Sequence, residues 1–438
     1  MGKKRPVYQC RECGYLSSKW LGRCPGCGSW DSFDELVEDY REKGIGIGKG
    51  EKGKLIKLPE VEREELERFS SGERELDLVL GGGIVPGSLV LIGGSPGVGK
   101  STLMLKVAGQ IDGEVLYISG EESPTQIKLR AERLGIEGKN ISIFPELEIS
   151  KIVKTIEKGK FKLVIVDSIQ TTYWEELHSA PGTVSQIRES TFKLMRVAKE
   201  LGVPIFIIGH ITKEGAIAGP RVLEHIVDTV LYFEGDSGRE LRILRAFKNR
   251  FGSTSEIALF EMGKNGLVTP KNRTFYSLKP VPGSSVAVIM EGTRPIVLEV
   301  QALVAESYGV PKRSGTGFDL SRLNMLLALL EKRLNLPLNR FDVFVNVSGG
   351  IKIGETGADL AVITAILSSF RNRAIGKDTL FIGEVSLVGD VRPVAGLEQR
   401  LKEASGLGFK KGVVPNIPSN PPLKCYQISD VSQLLEWM

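Results

Sequence analysis

The chain contains no run of 18 apolar residues, so a transmembrane helix is not expected. Residues 1–6 are basic but lead into cysteines instead of an apolar stretch, so no signal peptide is expected either. Cysteine is sparse outside one place: of five, Cys10, Cys13, Cys24 and Cys27 fall within the first 27 residues. Without an export signal, that cluster argues against a disulfide framework and for metal in a reducing cytoplasm. The remaining Cys425 reads as a small buried filler. Strong charge imbalance is lacking too: a net charge of +5 permits a nucleic-acid partner without demanding one. Internal repeats are not evident beyond the paired cysteines. Against these absences, 438 residues with 41% hydrophobic and 25% charged side chains describe an ordinary globular protein of about three domains.

The most informative stretch is residues 89–108. Leu89, Val90, Leu91 and Ile92 read as a buried parallel strand. Gly94, Gly99, Lys100 and Ser101 then fit the phosphate-loop spacing Gly-x-x-x-x-Gly-Lys-Ser/Thr, and a helix starts at Thr102. Glycines let the backbone wrap phosphates and aim N–H groups at them, and the helix N-terminus adds partial positive charge. The loop Gly94, Ser95, Pro96, Gly97, Val98, Gly99, Lys100, Ser101 and Thr102 is therefore the expected nucleoside triphosphate site. Lys100 is expected to reach the β- and γ-phosphates, and the Ser101 hydroxyl to ligate Mg²⁺.

Residues 161–168 form a hydrophobic strand closed by Asp167, the position of a second Mg²⁺-holding group after such a loop. Residues 115–120 form another strand, with Glu121 and Glu122 at its C-terminal end, where ligands collect in open parallel sheets. Helices are expected over 126–134 and 185–201 and a fourth strand over 203–210. Strands over 227–233 and 239–247 are expected to close the sheet as an antiparallel edge. Alternating strands and helices give an α/β sheet with helices on both faces. His210, at a strand end, is either a phosphate sensor or a half-buried hydrogen-bonding residue. Segments 212–220 and 171–183, the latter with Trp174, are the candidate loops for contacting single strands.

Cys10-x-x-Cys13 and Cys24-x-x-Cys27 are two knuckles whose four thiolates close a tetrahedral Zn²⁺ site with no open position, hence a structural one. Lys3, Lys4, Arg5, Arg11, Lys19 and Arg23 surround it, with Tyr8, Tyr15, Trp20 and Trp30 interleaved. Trp20 serves either as a base-stacking platform or as core for so small a module. Residues 31–65 alternate glycine with lysine in their second half and read as a flexible linker. A separate α+β unit is expected from residue 273, with strands over 285–290, 296–303, 341–347 and 380–388. Its helices are expected over 318–334, 357–370 and 396–406, the second with Leu360, Ala361, Thr364 and Leu367 on one side.

The four-cysteine knuckle, the loop 93–102 and the run Lys248, Asn249, Arg250, Phe251 and Gly252 together resemble the bacterial RadA (Sms) family of DNA-repair proteins, over essentially the whole chain. The resemblance implies a RecA-like P-loop ATPase core over 66–272, after a zinc finger over 1–30 and the linker 31–65. It implies an α+β domain over 273–438 like that of Lon protease. It also implies a DNA-dependent ATPase, using ATP and Mg²⁺, that promotes branch migration and D-loop extension in homologous recombination. The implied partners are single-stranded and branched DNA, further copies in a hexameric ring, and the RecA recombinase, with no membrane. An ATP-driven switch or scaffold without motor activity is the alternative.

By the same resemblance Glu121 activates the attacking water, and Lys248 and Arg250 reach a neighbouring subunit's nucleotide as an arginine finger does. A solvated strand end touching DNA phosphates is the other reading of Lys248 and Arg250. Segments 383–391 and 396–401 are similar to Lon segments, but the serine place holds Gly357 and the lysine place Arg400, with Thr356 and Lys402 nearby. Glycine supplies no nucleophile and arginine stays protonated, so peptide cleavage is not expected. Lys352, Arg371, Arg373, Arg392, Lys410 and Lys411 are either phosphate contacts or a solvated face.

Overall fold

The structure is a computed structural model, and it describes residues 7–10, 16–17, 19–25, 30–36, 67–177, 179–210, 220–235, 241–263, 266–269, 274–275 and 280–437. The expectations for Cys13, Cys27, most of the linker, His178 and the segment 211–219 fall outside these residues. Two compact units emerge: Met1–Ser237 with Arg242–Val268, and Thr269–Met438 with Gly238–Leu241.

The first unit opens with a small antiparallel sheet of β1 (Val7–Cys10), β2 (Leu16–Ser17) and β3 (Phe33–Leu36), β1 in the middle. Cys10, Cys24 and Phe33 are its buried centre, with Tyr8 and Leu21 packed on them. Trp20 and Trp30 are 51% and 73% exposed, so this centre does not use them.

Then come α1 (Arg74–Leu80), β4 (Leu89–Gly94), α2 (Lys100–Gln110), β5 (Val115–Ser119), α3 (Pro124–Arg133), β6 (Ile141–Phe144), α4 (Ile149–Lys158) and β7 (Leu163–Asp167). They are followed by α5 (Val184–Leu201), β8 (Ile205–His210), α6 (Pro220–Ile226), β9 (Thr229–Glu234), β10 (Leu241–Asn249), β11 (Ile257–Gly263) and β12 (Gly266–Val268). β4 to β12 build one sheet in the order β12-β11-β10-β9-β4-β8-β7-β5-β6. From β9 through β6 every pairing is parallel.

One expectation needs correction. Residues 227–233 were expected at an antiparallel edge, yet β9 lies inside the sheet, parallel to β4, and the antiparallel part begins one strand later where β10 pairs with β9. The cause is α6, which carries the chain back to the starting edge so that the next strand runs parallel.

Each central strand is apolar throughout because both of its faces are covered. Val90, Ile92, Val115, Tyr117, Leu163, Ile165, Phe206 and Ile208 pack with Leu103, Met104 and Val107 of α2. The alternate residues Leu89, Leu91, Leu116, Ile118, Val164, Val166, Ile205 and Ile207 pack with Ile149, Ile152 and Ile156 of α4 and with Leu194 of α5.

The second unit contains β13 (Thr274–Phe275), β14 (Ser284–Glu291), β15 (Arg294–Glu306), β16 (Arg313–Thr316), α7 (Leu320–Leu334), β17 (Phe341–Val347) and α8 (Asp359–Phe370). It continues with β18 (Thr379–Phe381), β19 (Glu384–Val385), β20 (Val391–Arg392), α9 (Leu397–Gly406), β21 (Lys411–Val414) and β22 (Lys424–Gln427). β13 to β17 share one sheet, β18, β21 and β22 a second, and β19 pairs with β20. α8 also departs from expectation: Asp359 and every residue to Ser368 are buried, not one side alone. It is the central helix of the unit, packed against β14, β15, β17 and β18.

Candidate nucleotide-binding site

β4, β8, β7 and β5 are neighbours, and their C-terminal ends share one edge of the sheet. Gly94 pairs there with His210, and Ser119 with Asp167. The loop leaving Gly94 enters α2 at Lys100, capped by Gly99 with a φ of 112°. A Cβ at Gly94 would lie 2.7 Å from the Phe233 carbonyl oxygen, so only glycine fits. At Gly97 a Cβ would meet nothing within 4 Å, so the loop opens to solvent there. Ser101 and Thr102 follow in the first turn of α2, both half-buried.

Lys100 is 4% exposed, and its Nζ donates to the Gly94 carbonyl at 2.7 Å and to the Ser95 carbonyl at 3.0 Å. Burial pushes its pKa down to about 8, while the Asp167 and Glu121 carboxylates pull the other way. Asp167 is buried, and its Oδ2 accepts a hydrogen bond from the Tyr117 hydroxyl at 2.7 Å. Burial and the Asp167 charge hold the Tyr117 phenol well above its ordinary pKa, so it remains a donor. Tyr117 was missed in the sequence because, inside an apolar strand, it reads as one more core residue.

The two glutamates after β5 differ in their surroundings. Glu121 is exposed, and its Oε1 accepts from the Ser168 hydroxyl at 2.5 Å, directly after Asp167. Glu122 is half-buried and ion-paired with Arg130. The backbone of His210 closes β8 beside Gly94; the sensor role expected of its ring lies outside the described atoms. Trp174 lies in the segment 171–183, a candidate loop for contacting single strands. It is half-buried, with Lys193 Nζ 3.7 Å above its ring, and its backbone N–H donates to the buried Gln186 side chain at 2.8 Å. These contacts anchor the ring to α5.

The run Lys248 to Gly252 lies elsewhere. Asn249 pairs with Thr229, and Thr229 with Val90, four residues before Gly94. At about 3.3 Å per strand residue, the run is displaced about 13 Å along the strands from the start of the P-loop, toward the opposite edge of the sheet, and lies two strands across from β4. Lys248 turns inward there: its Nζ donates to the carbonyls of Glu224 at 2.5 Å and Val227 at 2.8 Å, and burial lowers its pKa. Arg250 is the outward cation, 54% exposed, with Nη1 at 3.3 Å from the buried Asp228. Asn249 shapes the turn, accepting from the Phe251 N–H at 2.9 Å and donating to the Val79 carbonyl at 3.2 Å. A Cβ on Gly252 would lie 3.0 Å from the Cα of Gly81, a close backbone approach.

In the second unit Gly357 and Arg400 come together: a Cβ on Gly357 would lie 3.2 Å from Arg400 Nη1. Arg400 is 1% exposed and ion-paired with Glu355 through both terminal nitrogens, Nη2 to Oε2 at 2.7 Å. It also donates to the Val288 carbonyl at 2.6 Å and the Ala395 carbonyl at 3.0 Å. Thr356 donates to Glu384 at 2.6 Å, and Lys402 is exposed. Of the six candidate phosphate contacts, Lys352, Arg371, Arg373, Arg392 and Lys410 are exposed, and Lys411 faces Asp378 at 3.8 Å.

An open glycine-lined loop, a buried ammonium and a buried carboxylate near it fit a magnesium–triphosphate group, with Ser101 and Asp167 as the residues that would hold the ion. The buried thiols of Cys10 and Cys24 have the donor chemistry of a zinc ribbon. A doubly wound sheet with this loop and these acids at its C-terminal edge defines a RecA-like P-loop ATPase core. A rubredoxin metal binding domain matches residues 8–35, an AAA domain residues 57–216, and subunit ChlI of Mg-chelatase residues 321–417. DNA repair protein RadA of Campylobacter jejuni is 53% identical over 447 residues, covering 100% of both chains. That of Bacillus subtilis is 48% identical over 427 residues, covering 95% of this chain and 93% of its own. That of Aquifex aeolicus is 46% identical, covering 100% and 99%. The chain belongs to the DNA repair protein RadA family. Its zinc-ribbon, RecA-like and Lon-like parts follow the order expected from the sequence. Among solved structures, the crystal structure of the RadB recombinase matches with a TM-score of 0.38 and 23% identity, over 45% of this chain and 97% of its own.

Proposed function

We propose that this chain is a DNA-dependent ATPase of DNA repair and homologous recombination, acting as a ring motor on single-stranded and branched DNA. The observation that carries the reading is the separation of the P-loop and Arg250 onto opposite edges of one sheet. An outward arginine too distant for its own nucleotide is suited to the nucleotide of a second copy. Lys100 binds the β- and γ-phosphates, leaving its carbonyl partners as it does so. Ser101 and Asp167 hold Mg²⁺, which when bound neutralises charge on the phosphate oxygens. Glu121, presented to solvent and steadied by Ser168, orients the attacking water. Arg250 of the next copy stabilises charge in the transition state, with Lys248 supporting the turn that carries it.

Family membership supports the finer parts of this proposal: branch migration and D-loop extension, a homo-hexamer, contact with the RecA recombinase, and a cytoplasmic setting. Cys10, Cys13, Cys24 and Cys27 hold a structural Zn²⁺. The proposed parts are a zinc finger expected over 1–30, which β3 extends to Leu36, a linker over the rest of 31–65, an ATPase domain over 66–272 and a Lon-like domain over 273–438. The last serves as a scaffold and not as a protease, because an arginine locked to Glu355 cannot act as a base. The test is ATP hydrolysis with and without single-stranded DNA, beside Lys100→Ala and Arg250→Ala proteins. Stimulation by DNA, loss in Lys100→Ala, and slow turnover with intact nucleotide binding in Arg250→Ala are expected. A wild-type rate indifferent to DNA of every form would overturn the motor and favour the switch or scaffold.

A further inference from the structure

We propose that Tyr117 is a positioning residue for magnesium, its hydroxyl fixing the Asp167 carboxylate in the orientation that receives the ion. The proposal rests on the reading of Asp167 as the magnesium-side acid. On β5 and β7, Tyr117 stands opposite Ile165, and Ser119, two residues on, stands opposite Asp167. The fully buried ring therefore lies in the apolar layer beneath α2, among residues such as Val90, Ile165 and Phe206, and its oxygen meets the Asp167 side chain at the strand ends. That layer is built of hydrocarbon, and a phenylalanine would fill it equally well. The oxygen is thus superfluous to packing, and a buried hydroxyl is tolerated only with a partner. Its partner is Asp167 Oδ2, at 2.7 Å.

A hydroxyl-to-carboxylate bond is directional, so it restricts rotation of the Asp167 side chain at the strand end. It occupies Oδ2 and leaves Oδ1 for the ion side. Glu122 and Arg130, the other charges close to Tyr117, are committed to each other. Ser168, the residue after Asp167, is committed to Glu121. The orientation of the magnesium-side acid therefore comes from β5. Partners of this kind typically change metal affinity by about 10- to 100-fold.

The test uses the full chain and N-methylanthraniloyl-ATP fluorescence, titrated with Mg²⁺. Tyr117→Phe is expected to raise the half-saturating Mg²⁺ about tenfold, with nucleotide affinity in EDTA changed by less than about twofold. The melting midpoint of the free protein reports whether the core is intact. Tyr117→Leu, which also lacks the hydroxyl but packs differently, is expected to show the same shift; a shift in only one variant overturns the assignment. An equal loss of affinity with and without Mg²⁺ overturns it as well, since that reports a merely structural role. Because Tyr117 acts through Asp167, Tyr117→Phe should add nothing in an Asp167→Ala background, and additive shifts refute the coupling. Unchanged Mg²⁺ dependence in Asp167→Ala removes the reading of Asp167, and the proposal with it. A normal Asp167→Ala effect beside an unaltered Tyr117→Phe protein overturns the Tyr117 proposal alone.

Discussion

Two inactive proteins are expected to restore each other. Lys100→Ala loses the P-loop cation and keeps Arg250; Arg250→Ala keeps the P-loop and loses the outward arginine. Within one chain about 13 Å of sheet separates the two places, further than an arginine side chain spans. In the proposed trans arrangement they meet across an interface between copies. In a mixed ring, a productive interface needs a P-loop from an Arg250→Ala copy facing Arg250 from a Lys100→Ala copy. With random assembly in equal amounts, that combination occurs at about one head-to-tail interface in four. Arg250→Ala alone is expected to hydrolyse ATP about 10³-fold more slowly than the parent, the lower end of what an arginine finger contributes, and Lys100→Ala alone to be inactive. The assay is steady-state hydrolysis with single-stranded DNA across mixing ratios, after subunit exchange verified by co-purification on a tag carried by one variant. The rate should follow the product of the two fractions and peak at equal amounts, near a quarter of the parental rate. A flat baseline in verified mixed assemblies would refute the trans arrangement.

Proton uptake should accompany nucleotide binding. The folded chain holds the Lys100 pKa near 8, below its ordinary 10.5, so between those values the unfolded chain binds more protons and stability rises with pH. A triphosphate reverses the shift, and calorimetry in EDTA near pH 8.5, in buffers of different ionisation enthalpy, should register protons taken up; no buffer dependence would contradict it. Glu121→Gln should slow hydrolysis at least about 10²-fold while keeping nucleotide binding, as loss of a water-orienting base does. Glu122→Gln should leave hydrolysis nearer the parental rate, because Glu122 is engaged by Arg130. Equal effects of the two would remove the distinction. Arg400→Ala should destabilise the second unit by about 3–5 kcal/mol in denaturant titration, because it leaves a cavity and removes the buried member of the ion pair with its bonds to Val288 and Ala395. Exposed Lys402→Ala should change stability by less than about 0.5 kcal/mol.

The parts of the fold legible in the sequence are those set by local pattern. The run from Leu89 to Ser101 combines an apolar strand, a fixed glycine spacing and a helix start, and the strand before Asp167 is apolar for the same reason of double burial. β6 and β12 were passed over because they are short and only partly buried. Direction and register are non-local. The residues of β9 read alike in a parallel or an antiparallel strand, and only the return path through α6 decides between them. The same holds for the distance from Lys248 to the P-loop, which depends on two pairings that spacing along the chain does not encode. Tyr117 escaped notice because its role comes from a hydroxyl at the far end of a ring that otherwise behaves as core.

The Glu355–Arg400 pair stands in the way of a serine–lysine dyad in the second unit. A serine at position 357 would set its Cβ 3.2 Å from Arg400 Nη1 and 3.1 Å from Glu355 Oε1, so those groups would have to give by a few tenths of an ångström. A lysine at position 400 would give up the two-pronged grip on Glu355 and the bonds to Val288 and Ala395. Neither change alone yields a serine–lysine pair, and the change at position 400 weakens the unit. A serine–lysine dyad at these places would therefore need two coordinated substitutions, and the one at position 400 gives up the ion pair before any gain.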